Sequence, residues 1–268
     1  MNRFFLFALS CVLAVGNALP GIAQEEPPRR IDVSALPATV VDDVVVPVPT
    51  EVFGVLDKLG SPNWHDVLRK IENPKRGERA QVALLLGTVI AEGFIAVEAQ
   101  EPEEVKKIGR HVLNLAGAIG VRKSVISRTS SIIEAADKKD WARIRVEFDG
   151  ASEDVKQAMI ELKDEQLAQL VSLGGWLRGT EALTQVVSKN YSKDGAELLH
   201  QPTLLDFFQR RLDGMNPRLK RHSLVKKVRE QLPEIRPLIE KPNSLSEESV
   251  EKIHAITSGL VKAIAQDS

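Results

Sequence analysis

Ten residues from Val82 to Ala91 read VALLLGTVIA, and a helix made of them has almost no side left to face water. Such a helix must be wrapped by others, so the rest of the chain has to supply the wrapping. The run is too short to cross a bilayer of about 30 Å and is followed by Glu92 and Gly93, which favours a buried core helix over a membrane span. By helical projection Gln81, Thr88 and Glu92 share one narrow polar strip on it. A carboxylate so placed has to be paired or have a raised pKa.

A second helix of the same character runs from Glu165 to Lys189 and contains LGGWLRGTE, residues 173–181. Glycine costs a helix interior about 1 kcal/mol relative to alanine, so three in seven residues ask for a reason. Ala168, Gly175, Gly179, Ala182 and Val186 project onto one face, and Ala80, Ala83, Gly87 and Ala91 form a similar stripe on the first helix. The two helices are therefore expected to cross closely near Gly87 and Gly175/Gly179. Arg178 projects away from that stripe with Glu181 and Gln185. A surface ion pair at i,i+3 is the default expectation for Arg178 and Glu181. The sharper alternative is that Arg178 is partly buried and holds an anionic ligand or the carboxylate of Glu92.

The punctuation of the chain is helical throughout its later part. Helices are expected at about 50–59, 64–71, 76–99, 102–120, 124–137, 140–163, 165–189, 195–213, 217–231 and 246–265. Links of a few residues make sequential helices antiparallel neighbours. The fold class is all-α, an array of about eight to ten antiparallel helices that closes as a helical-hairpin bundle or runs as a short α-solenoid. No constant repeat period supports the solenoid. Three prolines between Gln231 and Asn243 are expected to set off a C-terminal helix over 243–268 from the main domain over 50–242.

The first residues carry Arg3, an apolar run from Phe4 to Val15 and small residues at Gly21 and Ala23, the pattern of a secretory signal peptide over 1–23 with cleavage after Ala23. A lipobox reading at Cys11 is the lesser alternative. Residues 24–49 hold five prolines and read as an extended tether, in which Val44 to Val46 can at most supply an edge strand. Cys11 is the chain's one cysteine, so the mature protein is expected to have no disulfide, thiolate nucleophile or cysteine-held metal. The formal net charge of −1 argues against a general nucleic-acid binder.

Motifs of catalysis are scarce. His65, His111, His200, His222 and His254 are scattered, and the ExxH at Glu251–His254 is by itself short of what a di-iron bundle needs. Ser223 to Lys226 matches a bare SxxK, but Leu224, Val225, Val228 and Leu232 explain that segment as a plain amphipathic helix. The strongest charge asymmetry is basic: residues 210–229 carry eight Lys and Arg, among them Arg218, Arg221, Lys226 and Lys227, against Asp213 alone. Seven acids between Glu147 and Glu165 could complement them within the chain. The expectation is a periplasmic or secreted helical binding module of the bacterial envelope, without cofactor or metal. Its partner would be a protein or an anionic component such as a lipid headgroup or acidic polysaccharide, bound through Glu92, Arg178, Glu181 and the basic segment. A helical hydrolase or lyase using dispersed carboxylates, and a bundle binding a small ligand or haem, are the alternatives.

Overall fold

The computed structural model describes residues 38–41, 44–47, 62–71, 77–241 and 245–266. The expected leader over 1–23 and the expected helix over 50–59 lie outside them. Among the described residues the fold is helical, with one two-stranded ribbon. The helices are α1 (Arg79–Glu98), α2 (Pro102–Ala118), α3 (Arg122–Asp137), α4 (Trp141–Glu161), α5 (Glu165–Lys189), α6 (Lys193–Glu197), α7 (Pro202–Asp213), α8 (Pro217–Arg221), α9 (Ser223–Ile235) and α10 (Glu247–Ala265). The ribbon, β1 (Ala38–Val41) against β2 (Val44–Pro47), is antiparallel with Val41 opposite Val44. It lies within the expected tether and uses the valine run that could supply an edge strand: the valines find a partner strand, and Pro47 sits at the open end of the pair.

Helix ends are set by local chemistry. Pro102, Pro202 and Pro217 occupy first helical positions, where a missing N–H costs nothing. The side chains of Asp140, Asn216 and Ser246 cap α4, α8 and α10 by accepting from Arg143, Leu219 and Ser249 N–H. Helices α1 to α4 all end in one kind of turn. Gln100, Gly120, Lys139 and Lys163 take left-handed φ values of 55°, 90°, 55° and 58°. The next residue in each case donates its N–H five residues back: Glu101 to Ala96, Val121 to Ala116, Asp140 to Ala135 and Asp164 to Met159, at 2.8–3.0 Å. This is the Schellman arrangement, and the donating residue is already the N-cap of the following helix. Only Gly120 announces such a turn in the sequence.

Helix α1 is buried from Ala80 to Val97. It is long and apolar enough to cross a membrane, yet here it is enclosed by protein. Helix α5 lies along it in the same direction, Arg79 meeting Asp164 and Glu92 meeting Arg178. Helices α2 and α4 also pack on α1, α3 fills in between α2 and α4, and α10 lies along α5. The last helix is thus part of the same core and is not set apart as its prolines suggested. Its Val250, Ile253, Leu260 and Ile264 are buried.

The α1–α5 crossing is held by glycine, at Gly87 against Gly175 as expected, and at Gly174 in addition. A side chain on Gly87 would run into the Val171 carbonyl, and one on Gly174 into the Leu84 carbonyl. Gly175 has ordinary room, and Gly179 faces open space. The expected role of Gly179 is therefore wrong: two backbones in contact at one crossing need small residues over about one turn rather than along a whole stripe. Gly174→Ala should lower unfolding free energy by about 3 kcal/mol, whereas Gly179→Ala should leave it unchanged or raise it by up to about 1 kcal/mol. Urea denaturation followed by circular dichroism separates the two outcomes.

Candidate functional site

Where α1, α5 and α10 meet, four charged side chains and one irregular segment come together. Residues 62–71 were expected to form a helix from Trp64, but only Trp64–Asp66 makes a single 3-10 turn. The rest crosses the helices as an irregular strap, anchored by buried Trp64 and Val67. The Val67 and Leu68 N–H groups bond back to the Trp64 carbonyl, and other backbone groups of the segment find side-chain partners. Arg178 Nη2 donates to the Val67 carbonyl at 2.7 Å, and the Arg69 N–H donates to Glu92 Oε1 at 2.6 Å. Gln185 Nε2 donates to the Asp66 carbonyl at 2.8 Å. Lys189 Nζ is 2.8 Å from Asp66 Oδ2 and holds that exposed carboxyl below its usual range.

The charges close on one another. Arg178 Nε donates to Glu92 Oε2 at 2.6 Å, and Arg178 Nη1 faces Glu181 Oε2 at 3.4 Å, an ionic contact without a hydrogen bond. Arg69 Nη2 donates to the other Glu181 oxygen and, at 3.0 Å, to Ser258 Oγ on α10. Arg178, Glu92 and Glu181 are almost wholly buried, at 1%, 3% and 0% side-chain exposure, while Arg69 keeps 35%. Two cations and two anions make the cluster formally neutral, which is what allows it to sit in an interior. Burial, and next the charge of Arg178, push the Arg69 guanidinium down from its ordinary pKa, opposed by Glu92.

Of the predicted site residues, then, Glu92, Arg178 and Glu181 do converge, and the surface ion pair expected for Arg178 and Glu181 is corrected to a buried one. The hydrogen bonds they make hold one another and the strap, while Arg178 Nη1 and Glu181 Oε2 make none. A crevice beside Trp176, Thr180 and Ile253 has room for about one water and does not include them. No group of three or more His, Cys, Asp and Glu side chains that could hold a metal occurs among the described residues. Glu251 is exposed, and His254 instead faces Thr184 Oγ1 at 3.1 Å. The Thr184 hydroxyl lies 2.9 Å from both the Thr180 and Glu181 carbonyls and donates its one proton there, leaving it to accept from His254 Nδ1. His111 stands away from the cluster on α2, half-buried, its pKa held down by burial and then by Lys107 and Arg110.

Arg69 and Ser258 were not anticipated. Arg69 lay in a segment read as ordinary helix. One signal did exist: two acids on apolar helices against Arg178 alone leave an anion over, and a buried excess charge calls for a second cation.

The basic segment lies apart from this cluster and in solvent. Arg218, Arg221, Lys226 and Lys227 are all exposed. Lys226 reaches Glu230 at 3.8 Å, and among the described residues the other three have no carboxylate partner. Asp213 is taken by Arg229 at 2.9 Å, with Lys220 Nζ on its carbonyl at 3.2 Å. Four of the acids of 147–165 are engaged elsewhere. Glu147 and Asp154 pair with Arg128, Glu153 with Lys156, and Asp164 with Arg79. Ser223 and Lys226 of the SxxK pattern are exposed on α9.

Removing one member of the cluster should expose its cost. Arg178→Met leaves a net buried negative charge and should destabilise by about 3–5 kcal/mol, while Arg178→Met combined with Glu92→Met should cost less than the two singles added together. Simple additivity in a denaturation cycle would refute the coupling. A second outcome concerns pH. Burial, then Arg69 and Arg178, hold His254 below its ordinary 6.5. Its folded form resists a proton that the unfolded chain accepts, so stability is full above about pH 6.5 and falls as the pH drops below it. His111 adds in the same sense. Unfolding midpoints between about pH 7.5 and pH 5.5 should therefore decline, and His254→Gln should flatten the decline.

No family model matches the chain, and neither does any curated protein or solved structure.

Proposed function

We propose that the protein is an exported helical module of the bacterial cell envelope that engages an anionic partner through the basic face of α8 and the start of α9. The observation that carries this reading is the exposed, unneutralised charge of Arg218, Arg221 and Lys227, in a region whose own acid, Asp213, is already engaged. Several like charges in solvent repel one another and raise the local concentration of anions, so they favour an oppositely charged surface. Export rests on the leader-like residues 3–23, which lie outside the described residues. The architecture in this reading is a set of antiparallel hairpins closed as a bundle. Support comes from α5, which touches α1, α4 and α10 and so joins the early and late parts of the chain. A hydrolase built on Glu92 is disfavoured, because that carboxylate is already an acceptor for Arg178 and the Arg69 N–H.

Retention on immobilised heparin tests the charge directly. The protein should bind at low ionic strength and elute progressively as salt shortens the Debye length from about 30 Å at 0.01 M to about 8 Å at 0.15 M and beyond. Arg218→Glu with Arg221→Glu should elute at clearly lower salt. Equal elution of the variant and the parent would overturn the assignment of this face.

A further inference from the structure

We infer that the end of the bundle carrying the α4–α5 turn and α8 is a docking surface for an anionic phospholipid bilayer. This rests on the basic-face reading above and adds a second chemistry to it. Leu162 and Ile160 are 54% and 46% exposed at the tip of that turn, where the chain reverses through the left-handed residue Lys163. Turn tips are normally polar, and two large apolar side chains there are not explained by packing. Lys163 itself is exposed. The basic helix is fastened beside this tip: Asn216 N and Nδ2 both donate to Gln166 Oε1, at 3.1 and 2.8 Å. Arg218 and Arg221 follow within five residues of Asn216. At the same end His222 Nε2 lies 3.8 Å from Glu78, and the neighbouring Arg79 binds Asp164 at 2.7 Å, which neutralises the nearest acid of the turn. Glu78, Glu161 and Glu165 are exposed there against Lys163, Arg218, Lys220 and Arg221, which leaves an excess of one positive charge.

An acidic polysaccharide would be served by the cations alone. A bilayer surface uses both parts, since cations meet the phosphates while exposed apolar side chains enter the boundary between headgroups and acyl chains. The two chemistries can be varied separately because all four residues are exposed and none belongs to the buried cluster.

Co-sedimentation of the full chain with vesicles of phosphatidylglycerol and phosphatidylcholine, beside vesicles of phosphatidylcholine alone, gives the test. The neutral vesicles also measure any insertion by the apolar run Phe4 to Val15. Anionic vesicles should bind about tenfold more strongly at low salt. Ile160→Ser with Leu162→Ser should weaken that binding about tenfold while leaving heparin retention as in the parent. Arg218→Glu with Arg221→Glu should weaken both. Equal binding to the two vesicle types, or undiminished vesicle binding by the serine variant, overturns the bilayer inference and leaves the polyanion reading standing if heparin is still retained. Failure of the parent to be retained on heparin overturns both.

Discussion

A guanidinium stays charged inside a protein, so Arg178 enters the interior as a fixed positive charge that has to be met there. Glu92 meets it from the neighbouring helix at 2.6 Å, and this one pair fixes more than its own geometry. It fixes which residues of α5 stand beside which residues of α1 at this point. The second oxygen of Glu92 binds a strap N–H, and Nη2 of Arg178 binds a strap carbonyl. The strap in turn brings Arg69 to Glu181 and Ser258, tying α10 to the same point. An apolar pair in these positions could pack as tightly. It could not satisfy the backbone of a segment that is neither helix nor strand, and an unsatisfied buried amide costs about as much as a hydrogen bond is worth.

The two glycines at the crossing serve the same end by different physics. Contact between the α1 and α5 backbones at Gly87 and Gly174 brings the two helices close, and the ion pair forms about one turn further along. Packing already restricts the register, since a slide of one residue would put a side chain where Gly87 or Gly174 meets a carbonyl. The charges restrict it further, because the same shift would leave an arginine and a carboxylate buried apart.

Most of the helical layout was legible in the sequence because prolines, capping residues and apolar periodicity all report on local chemistry. Helices α1 to α5 start and stop within a few residues of the expected places. What was hidden depended on contacts distant in sequence. The strap reads as helix by pattern and is pulled out of helix by bonds to residues more than twenty and more than a hundred positions away. Three of the four left-handed turn residues are Gln or Lys, types that give no hint of that conformation. Expected breaks also moved: 195–213 divides ahead of Pro202, a first-position proline, whereas α9 continues through Pro233 to Ile235. For the candidate site, the association of Glu92 with Arg178 could be anticipated from polar strips on two apolar helices. The choice between solvent and interior could not, since Glu181 at i+3 fits both.

The order of these elements along the chain has a consequence for synthesis. Helix α1 is complete at Glu98, but the largest part of its cover arrives only with α5, which ends at Lys189, and Ser258 comes later still. Throughout that interval a growing chain carries an apolar helix of membrane-spanning length that α2 and α4 shield only in part. Nascent chains in this condition are the ones that associate wrongly or recruit chaperones. Glu92, uncompensated until Arg178 emerges, makes any bilayer a poorer refuge for that helix than its eventual partner.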